Sequence, residues 1–247
     1  MGTTFSICLA AALALSVTVC AQDSLRSSTL SFSGGLDATL RKDQLKLPYE
    51  YSGTNLAFNS TYTRFQQKGQ HVIDFTYSSG KIHAPAYPDG NNKNIFINYD
   101  YLFNLKTKSK KFKPSLGMGL HTIVTNVDYY PGIPSNQRKY SSTGSYLTLT
   151  GNLAYQLGKR STLSLQVSLP VVGVITRKHD EISGGNFTSF TFAGQSVLMS
   201  AKLEYCYQLT KKLGLIASYR YSYFKYTDPW MLNVNNNGLF FGLRIAL

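Results

Sequence analysis

Apolar and polar residues alternate along this chain from about Ser27 to Leu247, and the alternating runs are separated in turn by long polar segments and short basic ones. A period of two places successive side chains on opposite faces of a β-strand. A strand that shows one face to lipid and the other to a polar lumen needs this period, and closed membrane barrels alternate long and short connections. The pattern therefore predicts an all-β chain that forms a transmembrane, up-and-down antiparallel β-barrel.

About ten strands are predicted from the alternating runs. Each covers the ~9 to 11 residues that a tilted strand needs to cross the hydrocarbon layer. Their predicted ranges are 27–41, 55–66, 70–82, 94–105, 113–127, 142–157, 162–176, 196–209, 213–226 and 238–247. Long loops are expected at 42–54, 83–93, 128–141, 177–195 and 227–237, and short turns at 68–69, 107–111, 158–161 and 210–212. An even strand count places the termini and short turns on the periplasmic side and the long loops outside.

The N-terminus carries a signal for export. Residues 5–19 are apolar and uncharged, and the small residues that end at Ala21 suit cleavage by a secretory signal peptidase. The sequence therefore predicts a signal peptide over residues 1–21 and one barrel domain over residues 22–247. Lipidation at Cys20 is the alternative, although the bulky valine before this cysteine disfavours a lipoprotein signal.

The last predicted strand indicates which face meets lipid. One face carries Leu239, Phe241, Leu243, Ile245 and Leu247, and the other carries Phe240, Gly242, Arg244 and Ala246. The first set is expected to face lipid. Two aromatic girdles are expected as well, formed by Tyr155, Tyr205 and Tyr207 near the periplasmic boundary and by Tyr77, Tyr221 and Tyr223 near the outer one.

In its alternation, loop asymmetry and terminal strand, the chain resembles the bacterial outer-membrane β-barrel proteins. The resemblance covers essentially the whole mature chain and rests on pattern, without a diagnostic active-site motif. It implies a location in the bacterial outer membrane, contact with phospholipid and lipopolysaccharide, and assembly by the barrel assembly machinery. In that superfamily the terminal strand usually ends in an aromatic residue, whereas this chain ends in Leu247.

The formal net charge of +13 at pH 7 is concentrated at the short turns. A basic collar is formed there by Arg64, Lys68, Lys106, Lys108, Lys110, Lys111, Lys113, Lys159, Arg160, Lys211 and Lys212, with no acidic residue among the turns. Each of these side chains gains ~1 kcal/mol beside anionic phospholipid at close range. A solvated rim that hinders edge aggregation is the alternative interpretation. Nucleic-acid binding is not expected, because no basic helix or stacking platform accompanies the charge.

Several charged residues point into the lumen by the same alternation. They are Asp37, Asp74, Asp100 and His121 on early strands, and Lys202, Glu204, Arg220 and Arg244 on late strands. A bare charge there costs several kcal/mol, so a polar network is expected to fill the lumen. A barrel of this size has little open space, unlike water-filled porins of about 16 to 18 strands. Strand register places Glu204 either diagonal to Arg220, with Lys202 opposite Arg220, or directly opposite Arg220 after a shift of two residues. In both registers Glu204 is predicted to act as a counter-ion for Lys202 and Arg220.

One interior group raises the question of a metal or catalytic site. Asp74, Asp100 and His121 could bind a divalent ion or support acid–base chemistry. A structural polar core is the alternative that we favour, because buried charge networks also collect such residues.

The predicted outer loops contain further candidates. His83 and residues 179–181 lie there, but neither the paired aspartates and Asp–His couple of omptin proteases nor a Ser–His arrangement of a phospholipase can be recognised. Segments 129–134 and 228–231 combine aromatic residues with proline, and they predict either binding loops or a plug over the barrel mouth.

Taken together, these patterns predict an outer-membrane barrel without catalytic, cofactor or metal-binding residues. Its expected role is structural, surface-binding or accessory, with an unknown surface ligand or envelope protein as partner. A narrow pore or small-solute channel is the alternative. An outer-membrane enzyme that acts on lipid or peptide is the third and least favoured interpretation.

Overall fold

The computed structural model describes residues 27–44, 47–85, 87–109, 111–129, 139–178, 186–192, 195–227 and 231–247. The predicted signal peptide lies outside these ranges and stays a prediction. The strands, in chain order, are β1 (Ser28–Asp43), β2 (Leu47–Phe65), β3 (Gly69–Ala84), β4 (Tyr87–Asn104), β5 (Phe112–Tyr129), β6 (Lys139–Gln156), β7 (Ser161–Lys178), β8 (Asn186–Phe192), β9 (Ser196–Gln208), β10 (Leu213–Tyr226) and β11 (Leu232–Ala246). Across these ranges, no helix is both long and apolar enough to span a membrane.

The strands form an antiparallel ring that closes on itself. β1 pairs with β2 on one side and with β11 on the other, and the pairing of β6 with β7 completes the circle. β8 and β9 occupy the same position in the ring, because both strands pair with β7. β8 pairs with the outer half of β7, and β9 pairs with its inner half. The described strands are thus a closed barrel with ten positions, which confirms the predicted fold class and strand count.

Short turns join the strands at one end of the barrel. They lie at residues 66–68, 105–111, 157–160 and 209–212. In the last of these turns the Leu209 amide donates a 2.9 Å hydrogen bond to the Leu213 carbonyl. Barrels of this kind keep their short turns on the periplasmic side, so the opposite ends of the strands are extracellular.

The long polar segments, predicted as loops, are to a large extent strand. β1 and β2 are joined by residues 44–46, and β3 and β4 by residues 85–86, where the prediction placed loops at 42–54 and 83–93. β8 lies within another predicted loop, and β11 begins earlier than predicted. The prediction was wrong at these ends because the strands continue beyond the membrane, where an outward face meets water and no longer has to be apolar.

Large apolar side chains cover the outside of the barrel wall. Leu239 and Phe241 are 51% and 61% exposed, whereas the inward Phe240 between them is 2% exposed. The predicted facing of the last strand is confirmed. An apolar outer wall is what lipid requires, and closure of the ring pairs its backbone groups within the protein.

Candidate functional site

A chain of five charged side chains crosses the lumen near the short turns. The Glu204 carboxylate pairs with Arg244 and lies 2.9 Å from Lys202 Nζ. Lys202 Nζ is also 3.8 Å from Asp74 Oδ2, and Asp74 Oδ1 lies 2.5 Å from Arg220 Nη2. Each buried carboxylate therefore has a cation on two sides, which offsets the cost of removing it from water.

The neighbours of Asp74 complete its hydrogen bonding. The Thr61 hydroxyl donates to Asp74 Oδ2 at 2.7 Å, and the Asn59 amide donates to the same oxygen at 3.2 Å. Thr61 and Asn59 lie on β2, two residues apart and on the inward face. Strand alternation thus supplies both the carboxylate and the donors that hold it.

The predicted role of Glu204 as counter-ion is confirmed for Lys202 and wrong for Arg220. The register is the first of the two predicted, with Lys202 opposite Arg220 and Glu204 opposite Ser218. Glu204 pairs instead with Lys202 and Arg244, while Arg220 extends to Asp74 on β3. Register fixes neighbours along the wall, but an arginine side chain is long enough to take its partner from across a narrow lumen.

Asp100 is the centre of a second polar group. Its carboxylate lies 2.9 Å from His121 Nε2 and accepts hydrogen bonds from the Thr150 hydroxyl at 2.7 Å and the Gln166 amide at 3.0 Å. Gly119 provides the space, because a Cβ at that position would lie 2.1 Å from Asp100 Oδ1. Four successive strands, β4 to β7, therefore contribute to one buried hydrogen-bonded group.

Asp74, Asp100 and His121 do not converge on one site. Asp74 is held between two cations, whereas Asp100 is bonded to His121 and neutral donors. In the described ranges, no three His, Cys, Asp or Glu side chains are arranged to hold a metal ion. Asp74 and Asp100 therefore belong to two separate hydrogen-bonded groups.

Two fully buried arginines close the outer end of the lumen. Arg41 and Arg177 share the Asp43 carboxylate, at 3.5 Å and 2.6 Å. Arg41 also donates to the Thr125 hydroxyl at 2.6 Å, and Arg177 donates to the Tyr140 hydroxyl at 2.5 Å. Both guanidinium groups lie 5.2 to 5.5 Å from the centre of the Tyr140 ring, within cation–π range. Burial raises the pKa of Tyr140, so its phenol stays neutral.

This outer cluster was not predicted from the sequence. The first strand was predicted to end at Arg41, and Asp43 and Arg177 were predicted to lie in loops. The two-residue alternation of β1 could have predicted this cluster, because Asp37, Arg41 and Asp43 are an even number of residues apart. All three are buried on the inward face of β1. For Arg177 the signal was the inward Ile175 two residues before it.

Contacts join opposite walls of the lumen at three levels. In each case the two strands are four positions apart in the ring of ten. The pairs are Asp74–Arg220 at 2.5 Å near the turns, Asn94–Asn236 at 3.3 Å in the middle, and Arg41–Thr125 and Arg177–Asp43, both at 2.6 Å, at the outer end. The lumen is therefore bridged along its length.

One cavity in the described part of the lumen has a volume of about 60 Å³ and is lined by Asp37, His121, Asn236 and Phe240, among others. This volume holds a few water molecules. Towards the outer end an apolar layer lines one side of the lumen, on β5 to β7 and β9 to β11. It consists of Ile123, Tyr146, Ile175, Leu198, Phe224, Tyr226, Leu232 and Val234. The predicted polar filling is thus confirmed, and this apolar layer adds to it between the inner ion pairs and the outer arginine cluster.

No family model and no curated protein matches this chain. Solved structures do match it. The outer membrane protease OmpT from Escherichia coli superposes with a TM-score of 0.61 at 8% identity, over 90% of this chain and 97% of OmpT. The chain has the fold of an outer-membrane β-barrel. This likeness confirms the predicted barrel fold, and the apolar outer wall is the surface that the predicted location in the outer membrane requires.

Two other solved structures also match. Neisserial surface protein A is 17% identical over 87% of this chain and 96% of that protein, with a TM-score of 0.38. Ail, the attachment invasion locus protein of Yersinia pestis, is 12% identical over 88% of this chain and 99% of Ail, with a TM-score of 0.37. At these identities the similarity concerns the fold alone.

An Asp–His couple does exist at the extracellular end. His83 Nδ1 lies 2.7 Å from Asp89 Oδ1, and the two side chains are 57% and 40% exposed. They lie on the outer side of the β3–β4 hairpin, because the flanking Ile82 and Ala84 are buried on its inner side. Residues 179–181, and most of the two aromatic and proline segments, lie outside the described residues.

The basic collar lies at the periplasmic turns as the sequence indicates. The exposed side chains there are those of Lys68, Lys106, Lys108, Lys111, Lys113, Lys159, Arg160, Lys211 and Lys212. Arg64 is partly buried, and Lys110 lies outside the described residues.

Proposed function

We propose that this protein is a closed, non-conducting outer-membrane barrel without a catalytic role, and that it acts through its surfaces as a structural or binding component. The contacts between opposite walls of the lumen support this proposal most directly. They occur at three levels, and two of those levels contain fully or largely buried ion pairs.

A conducting state would require these bridges to separate. Breaking a buried ion pair costs about 3 to 5 kcal/mol when one charge is left without its partner. Asp74–Arg220 and Arg177–Asp43 would both have to open, and the apolar layer between them would have to admit water. A barrel built in this way is better suited to rigidity than to solute flow.

Two observations speak against an enzyme. The His83–Asp89 pair lies outside the barrel wall, without an acidic partner from the lumen side in the described part of the hairpin. Asp100 and His121 are at most 2% exposed and are already bonded to one another. Within the described residues, the bridges across the lumen lie between that pair and the extracellular end.

Single-channel recording in a planar bilayer tests the closed state. We expect the native barrel to be silent. Arg177→Ala combined with Arg220→Ala, which breaks the Arg177–Asp43 and Asp74–Arg220 bridges, should produce discrete conductance, whereas the lipid-facing control Leu203→Val should remain silent. Discrete openings by the native protein would instead favour the narrow pore.

Lipid analysis tests the absence of catalysis. Lipid A and phospholipid profiles of cells with and without the gene should be identical. A modified or cleaved lipid that appears only with the gene, and that disappears in a His83→Ala or His121→Ala variant, would contradict the non-catalytic role.

A further inference from the structure

The outer wall formed by β10, β11 and β1 carries a cationic pair at its extracellular end. Asn233 lies opposite Lys225 on one neighbouring strand and opposite Lys42 on the other. Neighbouring strands are ~4.8 Å apart, so the two lysines start about 10 Å from one another. All three side chains point outward and are partly exposed.

Amide and phenol groups occupy the rows below this pair. The next two rows are Tyr223–Asn235–Leu40 and Tyr221–Asn237–Ala38. The Tyr219 hydroxyl donates to Asn237 Oδ1 at 2.7 Å, and the Asn237 amide donates to Asn235 Oδ1 at 3.1 Å. Asn235 and Asn233 are both partly exposed, although the amide oxygen of Asn233 is itself buried.

The wall becomes apolar immediately below. The following rows are Tyr219–Leu239–Leu36, Ala217–Phe241–Gly34 and Leu215–Leu243–Phe32. From Asn233 to Leu239 the surface therefore changes from cationic to amide to apolar over about 20 Å of strand.

Outward asparagines at a lipid boundary require polar partners. An amide placed against hydrocarbon without a hydrogen bond loses free energy, and three such residues follow one another on β11. Water above the membrane can supply such partners, and so can a lipid whose headgroup offers hydroxyl and phosphate oxygens at this depth. The phosphorylated glycolipid of the outer leaflet has this chemistry, whereas a phospholipid headgroup offers phosphate with few hydroxyls.

We infer that this surface, defined by Lys42, Lys225, Asn233, Asn235 and Asn237, is a binding site for lipopolysaccharide. The lysines take a glycolipid phosphate, the asparagines take sugar hydroxyls, and the acyl chains lie along Leu239 and Phe241. Glu50 borders the surface opposite Lys42 on β2. Lys225, whose opposite neighbours are Val197 and Asn233, therefore contributes more to phosphate binding than Lys42. The site does not depend on whether the lumen conducts.

Binding of a purified rough-type lipopolysaccharide to the detergent-solubilised full-length barrel tests the site, with phosphatidylglycerol as the competing lipid. Native mass spectrometry measures the bound fraction of each. We expect Lys42→Gln combined with Lys225→Gln to weaken lipopolysaccharide binding about tenfold or more. The matched control, Lys211→Gln with Lys212→Gln, removes the same charge at the periplasmic turns and should leave binding unchanged. Heat-modifiable gel migration confirms that every variant is folded.

The amide rows need a separate variant. Asn235→Leu should weaken lipopolysaccharide binding and leave phosphatidylglycerol binding as it is, because only the glycolipid uses sugar hydroxyls. Lys225→Gln alone should weaken binding more than Lys42→Gln alone. Equal native affinity for the two lipids, or equal binding by the double variant and its periplasmic control, would overturn the assignment.

Discussion

Asp74 and Arg220 lie on opposite walls of the barrel, and their charged groups are 2.5 Å apart across the lumen. Arg220→Gln leaves the buried Asp74 carboxylate with Lys202 as its remaining cation. We expect this variant to lower the free energy of unfolding by ~3 to 5 kcal/mol, less whatever water in the lumen restores. Urea unfolding in detergent, followed by heat-modifiable migration, measures the loss.

A double-mutant cycle separates this pair from the one that the sequence suggested. The losses of Asp74→Asn and Arg220→Gln should be strongly non-additive, because both variants remove the same contact. Glu204→Gln and Arg220→Gln should be closer to additive, since Glu204 bonds to Lys202 and Arg244. The reverse order of coupling would contradict the side-chain arrangement. The lipid-facing Leu203→Val serves as the control, with a loss of about 1 kcal/mol.

Asp43 is the anion shared by the two buried arginines Arg41 and Arg177 at the outer end of the lumen. Its negative charge is therefore expected to stabilise the folded barrel. Asp43→Asn should lower the free energy of unfolding by ~3 to 5 kcal/mol, because Arg41 and Arg177 would then face one another with their common counter-ion gone. The neighbouring Lys42→Gln, whose side chain points outward, is the matched control and should be nearly neutral. Equal stability of the two variants would show that Asp43 does not hold this cluster.

Gly119 gives a test of the Asp100 group that leaves its polar residues intact. In Gly119→Ala the new methyl would lie 2.1 Å from Asp100 Oδ1 and 2.6 Å from the Tyr99 carbonyl oxygen, so both the carboxylate and the neighbouring backbone must shift. We expect a loss of ~1 to 3 kcal/mol in thermal or urea unfolding. Gly151→Ala is the control, because the nearest atom to its new methyl is Leu116 Cδ1 at 3.9 Å. A loss in the control as large as in the variant would refute the packing argument.

The orientation of the barrel predicts which ends are accessible on intact cells. An epitope tag inserted between residues 131 and 138 should be labelled without permeabilisation, whereas a tag after Ser109 should be labelled only after the outer membrane is opened. Labelling of the Ser109 tag on sealed cells would invert the assignment of periplasmic and extracellular ends.

Lipid explains which features of the fold could be predicted. On the membrane-facing part of β11, every second residue must be apolar because it contacts lipid. The alternation from Leu239 to Leu247 could therefore be recognised in the sequence. Beyond the membrane both faces of a strand meet polar surroundings, so Asp43 and Arg177 were assigned to loops. The alternation of side chains predicted that Glu204 points inward. It did not predict its partners, because lysine and arginine side chains from several strands can reach one carboxylate in a narrow lumen.

The bridges across the lumen also bear on how the barrel is completed. Asp74 is on the third strand, while its cations Lys202 and Arg220 come from β9 and β10, near the end of the chain. Before β9 and β10 are added, the Asp74 carboxylate lacks the two cations that hold it in the finished barrel. Contacts between residues so far apart in the sequence form slowly during folding. A chain truncated after β8 would contain Asp74 without Lys202 and Arg220. The ion pairs across the lumen therefore stabilise only a barrel that contains all its strands.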